Sequence, residues 1–165
     1  MGDWIRSRAD GLIHERINQI LFLIVVLPLT GLLVAYLHQL LMALTFPLGA
    51  AYGIWLVTPD VDLETFTYSE TKWLGGAIWF RPIGYSLYLY YYPLALVLRH
   101  RGISHTPIFG ALIIYAYTWW LPVLLSLIIG WHPTWLLHPD LHVGLFSGLA
   151  CAHLFHILED RLLSS

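Results

Sequence analysis

The stretch that decides the fold is INQILFLIVVLPLTGLLVAYLHQLLMALTFPLGAAYGIWLV, residues 17–57. It contains no Asp, Glu, Lys or Arg, and the polar pair His38–Gln39 divides it into two apolar runs. A helix needs about 20 mostly apolar residues to cross about 30 Å of hydrocarbon. Runs 17–37 and 40–57 therefore predict two membrane spans joined by a tight turn.

The whole chain has the same character. Of its 165 residues 58% are hydrophobic and 11% are charged, so we expect an integral membrane protein with the lipid bilayer as its surroundings. The net charge of −2 and the lack of a basic run argue against a nucleic-acid partner. A single cysteine, Cys151, excludes a disulfide framework and a thiolate metal cluster, so any metal would be held by nitrogen and oxygen.

Two further apolar runs complete the predicted spans. Residues 107–129 follow Thr106–Pro107, which is typical of a helix start. Residues 141–158 contain Gly144 and Gly148, whose small size allows close approach of another helix. The prediction is a single all-α membrane domain with four transmembrane helices.

The segment 82–98 is harder to place. It has 17 residues, is interrupted by Pro93 and is rich in tyrosine, a residue type that prefers the headgroup level. A fifth span is one alternative, but an interfacial or re-entrant segment fits better, because a fifth span would weaken the charge asymmetry of the chain.

With four spans, every Lys and Arg falls on one side of the bilayer, whereas the two opposite turns carry none. The positive-inside rule makes that side the cytoplasm. We therefore expect both termini and the loop 58–106 to be cytoplasmic, in a membrane of the bacterial inner-membrane type.

This topology brings four polar segments to one face. GLIHER (11–16), TPDVDLE (58–64), RHRGISHT (99–106) and HLFHILEDR (153–161) each lie at the end of a predicted span. Since packed spans place neighbouring helix ends close together, we expect the four segments to form one shared polar site at the cytoplasmic face.

Several pairs in these segments suit a metal ion. Asp60 and Asp62 can converge on one hard cation, although a solvated turn is the simpler explanation of that pair alone. His156 and Asp160 lie one helical turn apart, so both can reach one ion. A histidine and a carboxylate near a membrane are costly unless they have partners.

The segment before the third span has a second pair of histidines, His100 and His105, and Gly102 between them favours a bend. Arg99 and Arg101 are most simply interfacial anchors, but a guanidinium also binds a phosphate. Four other residues have two possible roles each. His14 is a ligand or a surface histidine, and His153 supports a ligand or packs between helices. Glu15 and Glu159 are bases or solvated side chains. Histidines predicted on the opposite face are not expected to be ligands, namely His38, His132, His138 and His142.

The motifs GLIHERI, PDVD, RHRGISHTP and HILED, in this order and spacing, resemble a family of bacterial and archaeal membrane-bound metal-dependent hydrolases. That family is distantly similar to zinc-dependent phospholipase C and the P1-type nucleases. The resemblance covers nearly the whole chain and implies a set of metal ligands. These are His14, Asp60, Asp62, His100, His105, His156 and Asp160.

Seven ligands exceed what one tetrahedral zinc needs and suit about two metals. The sequence thus predicts a hydrolase of a phosphoester or phospholipid that uses zinc or manganese, with Arg101 or Arg99 on the phosphate and Glu159 as a catalytic group. The alternative is a non-catalytic protein in which a metal stabilises a docking subunit for a membrane-protein partner. A transporter is a third class, disfavoured because the spans carry no charged residue along a path across the bilayer.

Overall fold

The computed structural model describes residues 13, 16–37, 39–57, 81–98, 106–131 and 134–163. Within these ranges every regular element is helical. The helices are α1 (Arg16–Tyr36), α2 (Leu40–Trp55), α3 (Arg81–Val97), α4 (Phe109–Ile128) and α5 (Pro139–Leu163), with a short 3₁₀ helix at Thr134–Leu137. Residues Phe22–Val26 of α1 are π-helical.

Three of the helices, α1, α4 and α5, are long and apolar enough to cross a membrane. They correspond to the predicted spans 17–37, 107–129 and 141–158. The second predicted span, 40–57, contains the shorter apolar helix α2 of 16 residues. At about 1.5 Å per residue it is about 24 Å long, short of the hydrocarbon thickness. The all-helical prediction is confirmed, and the count of four spans remains a prediction.

The start of α4 differs slightly from the prediction. The helix begins at Phe109, two residues after Pro107. Thr106 nevertheless bonds to the helix start, because its hydroxyl oxygen accepts a hydrogen bond from the amide of Gly110 at 3.1 Å. The threonine therefore satisfies an amide of the first turn that has no partner within the helix.

The tightest packing in the described part of the chain joins α2 to α5. A Cβ atom on Gly148 would overlap the backbone oxygen of Phe46, and one on Gly144 would overlap Thr45. Gly53, two turns further along α2, faces Ala152 in the same way. Because residue numbers rise together along both helices, α2 and α5 run parallel. The expected role of the two α5 glycines in close packing is confirmed.

The other helices run against this pair. Tyr115 of α4 contacts Phe146 whereas Trp119 contacts His142, so α4 is antiparallel to α5. Asn18 at the start of α1 is bonded to Glu159 near the end of α5, so α1 is antiparallel to α5 as well. One end of the bundle therefore contains the starts of α1 and α4 and the ends of α2 and α5.

Side chains between the helices form two buried clusters. One joins Val26 of α1 to Phe46 and Ala50 of α2 and to Phe155 of α5. The second joins all helices except α1, through Val57, Tyr91, Leu94, Ala111, Ile114 and Leu149. Large apolar side chains cover the outside, for example Leu23 and Ile24 of α1, which are 60% and 63% exposed. Such an apolar exterior suits lipid rather than water.

Helix α3 corresponds to the tyrosine-rich segment predicted at 82–98. The hydroxyl of Tyr90 donates to the backbone oxygen of Tyr117 at 2.8 Å, and the hydroxyl of Tyr117 donates to that of Tyr90 at 2.6 Å. Tyr91 is hydrogen bonded to Thr118 at 2.7 Å. These contacts lie near the middle of α4, so this part of α3 is well away from the ends of α4.

We predict that Gly148→Ala lowers the stability of the protein, because the added methyl group must push α2 away from α5. Overpacking of this kind costs about 1–3 kcal/mol. The control is Gly31→Ala in α1, where a Cβ has no atom within 4 Å, and we expect no loss there. Thermal unfolding of detergent-purified variants measures both, and equal melting temperatures would contradict the proposed role of the interface.

Candidate functional site

Most of the predicted site residues lie outside the described residues. They are His14, Asp60, Asp62, His100, Arg101 and His105. The described candidates are His156, Glu159 and Asp160, all in the last turns of α5. The geometry of the site is therefore built from α5 and from the helices that pack against it.

His156 and Asp160 lie next to each other, as their spacing predicted. The distance from His156 Nε2 to Asp160 Oδ2 is 3.6 Å. The histidine side chain is 9% exposed and the aspartate side chain 33%. The pair thus extends from the interior of the bundle towards its surface, and its nitrogen and oxygen atoms are close enough to bind one cation.

Glu159 points into the bundle. It is 2% exposed, and its Oε2 accepts a hydrogen bond from the side-chain amide of Asn18 at 3.3 Å. The interpretation of Glu159 as a solvated surface residue is therefore wrong. The reason is the α1–α5 contact, which covers this side of the helix end and supplies a polar partner for the carboxyl group.

His153 extends the polar stripe one turn further into the bundle. It is completely buried, and His156, three residues later, is 7% exposed. Residues three and four apart share one face of a helix, so His153, His156 and Glu159 or Asp160 form a continuous stripe along α5. Burial of such groups in an apolar bundle is costly, which favours a specific role over simple packing.

The stripe lies at the end of the bundle where α1 and α4 begin and α2 ends. In the sequence, the candidates outside the described residues adjoin these ends. His14 precedes Arg16 of α1 by two residues, Asp60 follows Val57 by three, and His105 precedes Phe109 by four. The described helix ends are therefore arranged as the convergence of the four polar segments requires.

The described residues alone do not complete a metal site. Among them, no group of three or more His, Cys, Asp or Glu side chains is placed to hold an ion. His156 and Asp160 would supply two donors, so a site here needs ligands from the neighbouring polar segments.

A second polar group lies at the opposite end of α5. His138 Nδ1 is 3.8 Å from Asp140 Oδ2, and both side chains are well exposed. The ring of His142 is hydrogen bonded through Nδ1 to the hydroxyl of Tyr115 at 2.6 Å and packs edge-on against Trp119. His142 is 14 residues from His156, about 21 Å along the helix, and so lies at the opposite end of the bundle from the polar stripe. His38 and His132 lie outside the described residues.

Sequence reasoning missed one member of the site and one polar cluster. Asn18 and Gln19 form a pair of amides at the edge of an apolar run, and that polar pair was the available signal. The cluster joins the hydroxyl groups of Tyr52, Tyr91 and Thr118, which are mutually hydrogen bonded in the interior. From sequence, the tyrosines of α3 are predicted to lie at the headgroup level. Only the fold shows that Tyr90 and Tyr91 face α4.

The structure defines an all-helical protein whose long apolar helices indicate a membrane protein. No family model matches the chain, and no curated protein or solved structure is detectably similar to it. The resemblance of its four motifs to membrane-bound metal-dependent hydrolases therefore stays a prediction.

Proposed function

We propose that this protein is a membrane-embedded, metal-dependent hydrolase of a phosphoester, most naturally of a phospholipid. One observation carries the proposal: the stripe of His153, His156 and Glu159 is buried at the bundle end towards which the other polar segments lead. An apolar bundle keeps a stripe of this kind when it serves a ligand or a reaction.

The donor set fits zinc or manganese. Imidazole nitrogen and carboxylate oxygen suit either ion, and the chain's single cysteine, Cys151, cannot form a thiolate cluster that would select softer metals. His156 and Asp160 would be ligands from α5, joined by His14, Asp60, Asp62, His100 and His105. A divalent ion held there supplies Lewis-acid activation of water and of a phosphoryl oxygen.

The protein's own groups have separate roles in this proposal. Glu159 takes the proton of the attacking water, and Asn18 fixes the orientation of that carboxyl group through its 3.3 Å hydrogen bond. Arg101 binds the phosphate of the substrate as a charge-assisted hydrogen-bond donor. Burial of Glu159 at 2% exposure keeps competing water away from the carboxyl group.

The proposed topology has four spans with both termini in the cytoplasm of a bacterial-type inner membrane. The parallel α2–α5 pair and the antiparallel α1 and α4 support it, because the starts of α1 and α4 and the ends of α2 and α5 lie at the same end of the bundle. The contacts of Tyr90 and Tyr91 near the middle of α4 favour the re-entrant and the spanning alternatives for α3 over a position at the headgroups.

The topology predicts which cysteine variants react from outside the cell. In a Cys151→Ala background, Thr134→Cys should react with a membrane-impermeant maleimide in spheroplasts, because Thr134 is exposed at the opposite end of the bundle. Ser164→Cys should react only after lysis. The reverse pattern would place the polar site outside the cytoplasm, and equal reaction of both would exclude the topology.

The metal site predicts that purified protein contains about one or two divalent ions per chain. The double variant His156→Ala with Asp160→Ala should lose most of this metal, because it removes both ligands of α5. The double variant His138→Ala with Asp140→Ala is the matched control, since it removes the other His–Asp pair, 3.8 Å apart at the far end. Elemental analysis that finds the same content in both would exclude the site.

The catalytic assignment predicts that Glu159→Gln retains metal and fold but loses turnover by about 10²–10⁴-fold, the usual contribution of a general base. Arg101→Ala should also retain metal and lose turnover. The assay follows phosphate or headgroup release from phospholipids and soluble phosphoesters with Zn²⁺ or Mn²⁺, and Asp140→Asn serves as the control.

The same assay separates the proposal from a docking subunit. A structural metal predicts that loss of the α5 ligands disrupts assembly, while no phosphoester is consumed by any variant. Stoichiometric co-purification of a partner membrane protein, together with a silent substrate screen, would replace the hydrolase by that alternative.

A further inference from the structure

A cavity of about 280 Å³ lies between α2, α4 and α5, away from the polar stripe. Its walls are mainly apolar: Leu48 and Gly49 from α2, Trp119 from α4, and Leu145 and Leu149 from α5. A pocket of this volume is larger than the gaps left by ordinary packing and lies near the lower limit of small-molecule pockets, so it is a candidate binding site.

The hydroxyl groups at the cavity wall already have partners inside the protein. Tyr52 is hydrogen bonded to Tyr91 and, at 3.2 Å, to Thr118. The hydroxyl of Tyr115 is bonded to His142 at 2.6 Å. A polar ligand would therefore exchange water for an apolar wall, whereas a hydrocarbon ligand loses nothing by entering.

The cavity runs from the surface of the bundle to its core. Leu48 at one side is 62% exposed, and Leu149 at the other is 2% exposed. Leu48 belongs to the apolar exterior, so the medium at the mouth is the hydrocarbon of the bilayer. The occupant that this medium supplies is a lipid chain.

The position along α5 relates the cavity to the polar stripe. Leu149 and Glu159 are ten residues apart, about 15 Å at the helical rise. One leaflet of the hydrocarbon core is about half of 30 Å, the same length. A lipid whose headgroup lies level with Glu159 therefore has the end of its chain level with Leu149, at the near side of the cavity.

We propose that the cavity binds one acyl chain of a phospholipid and holds that lipid with its headgroup level with Glu159. The headgroup part rests on the proposed function, and the acyl-chain part does not. Recognition of the acyl chain explains how an enzyme of this kind would select a lipid. The cavity walls contact the hydrocarbon, and the phosphate is left to the polar site.

Two substitutions test the pocket, and one controls for them. Leu145→Trp fills the cavity from α5, and Leu48→Trp narrows its mouth at an exposed position where folding is not at risk. Leu154→Trp places the same ring on a lipid-facing position of α5 that does not line the cavity. The probe is phosphatidylethanolamine added to delipidated protein, followed by native mass spectrometry, with palmitic acid as a separate arm.

We expect the wild type and Leu154→Trp to retain one phosphatidylethanolamine per chain. Both cavity variants should retain less of it than the wild type, because the indole ring occupies the volume that the acyl chain needs. Retention that is the same in all four proteins would overturn the proposal, as would binding of palmitic acid with no binding of the phospholipid.

The outcomes also separate this proposal from the hydrolase. Retained lipid without any turnover keeps the pocket and removes the enzyme. Turnover of soluble phosphoesters without lipid retention would support the enzyme and exclude the acyl-chain pocket.

Discussion

The contact between α2 and α5 is the constraint on which the rest of the bundle depends. Gly144 and Gly148 let the backbone of α5 approach the backbone of α2, which no larger residue would permit. In hydrocarbon there is no hydrophobic force between helices, so close van der Waals packing must hold them together. The two glycines allow that packing, and the residues that they meet on α2 show that the pair is parallel.

The placement of the polar residues is a consequence of this contact. Because Gly53 faces Ala152, the end of α2 lies level with the polar stripe that begins at the next residue, His153. Helix α1 ends at Tyr36, four residues before α2 begins, and runs back along the bundle, and this brings Asn18 to Glu159. The small-residue interface between α2 and α5 therefore sets which helix ends lie together at the polar stripe.

Much of this fold follows from sequence, and the remainder depends on tertiary contacts. Long apolar runs predict α1, α4 and α5, because length and hydropathy alone decide whether a helix suits a bilayer. The pairing of His156 with Asp160 follows equally from helical spacing. The short length of α2 could not be predicted, because an apolar run does not show where the helix ends. Burial of Glu159 depends on Asn18, 141 residues away, and local sequence contains no sign of such a contact.

The separation of polar and apolar sites along α5 is itself informative. The helix carries its buried His and Glu residues in the last turns, and its cavity-lining leucines lie 10 residues or more before Glu159. A structural metal site needs only the buried polar residues, because an apolar cavity about 15 Å away does not help to hold the metal. A protein that acts on a lipid needs both, since one end of the substrate is charged and the other is hydrocarbon. Within the proposed function, the combination is therefore an argument for a lipid substrate and for the hydrolase over the docking subunit.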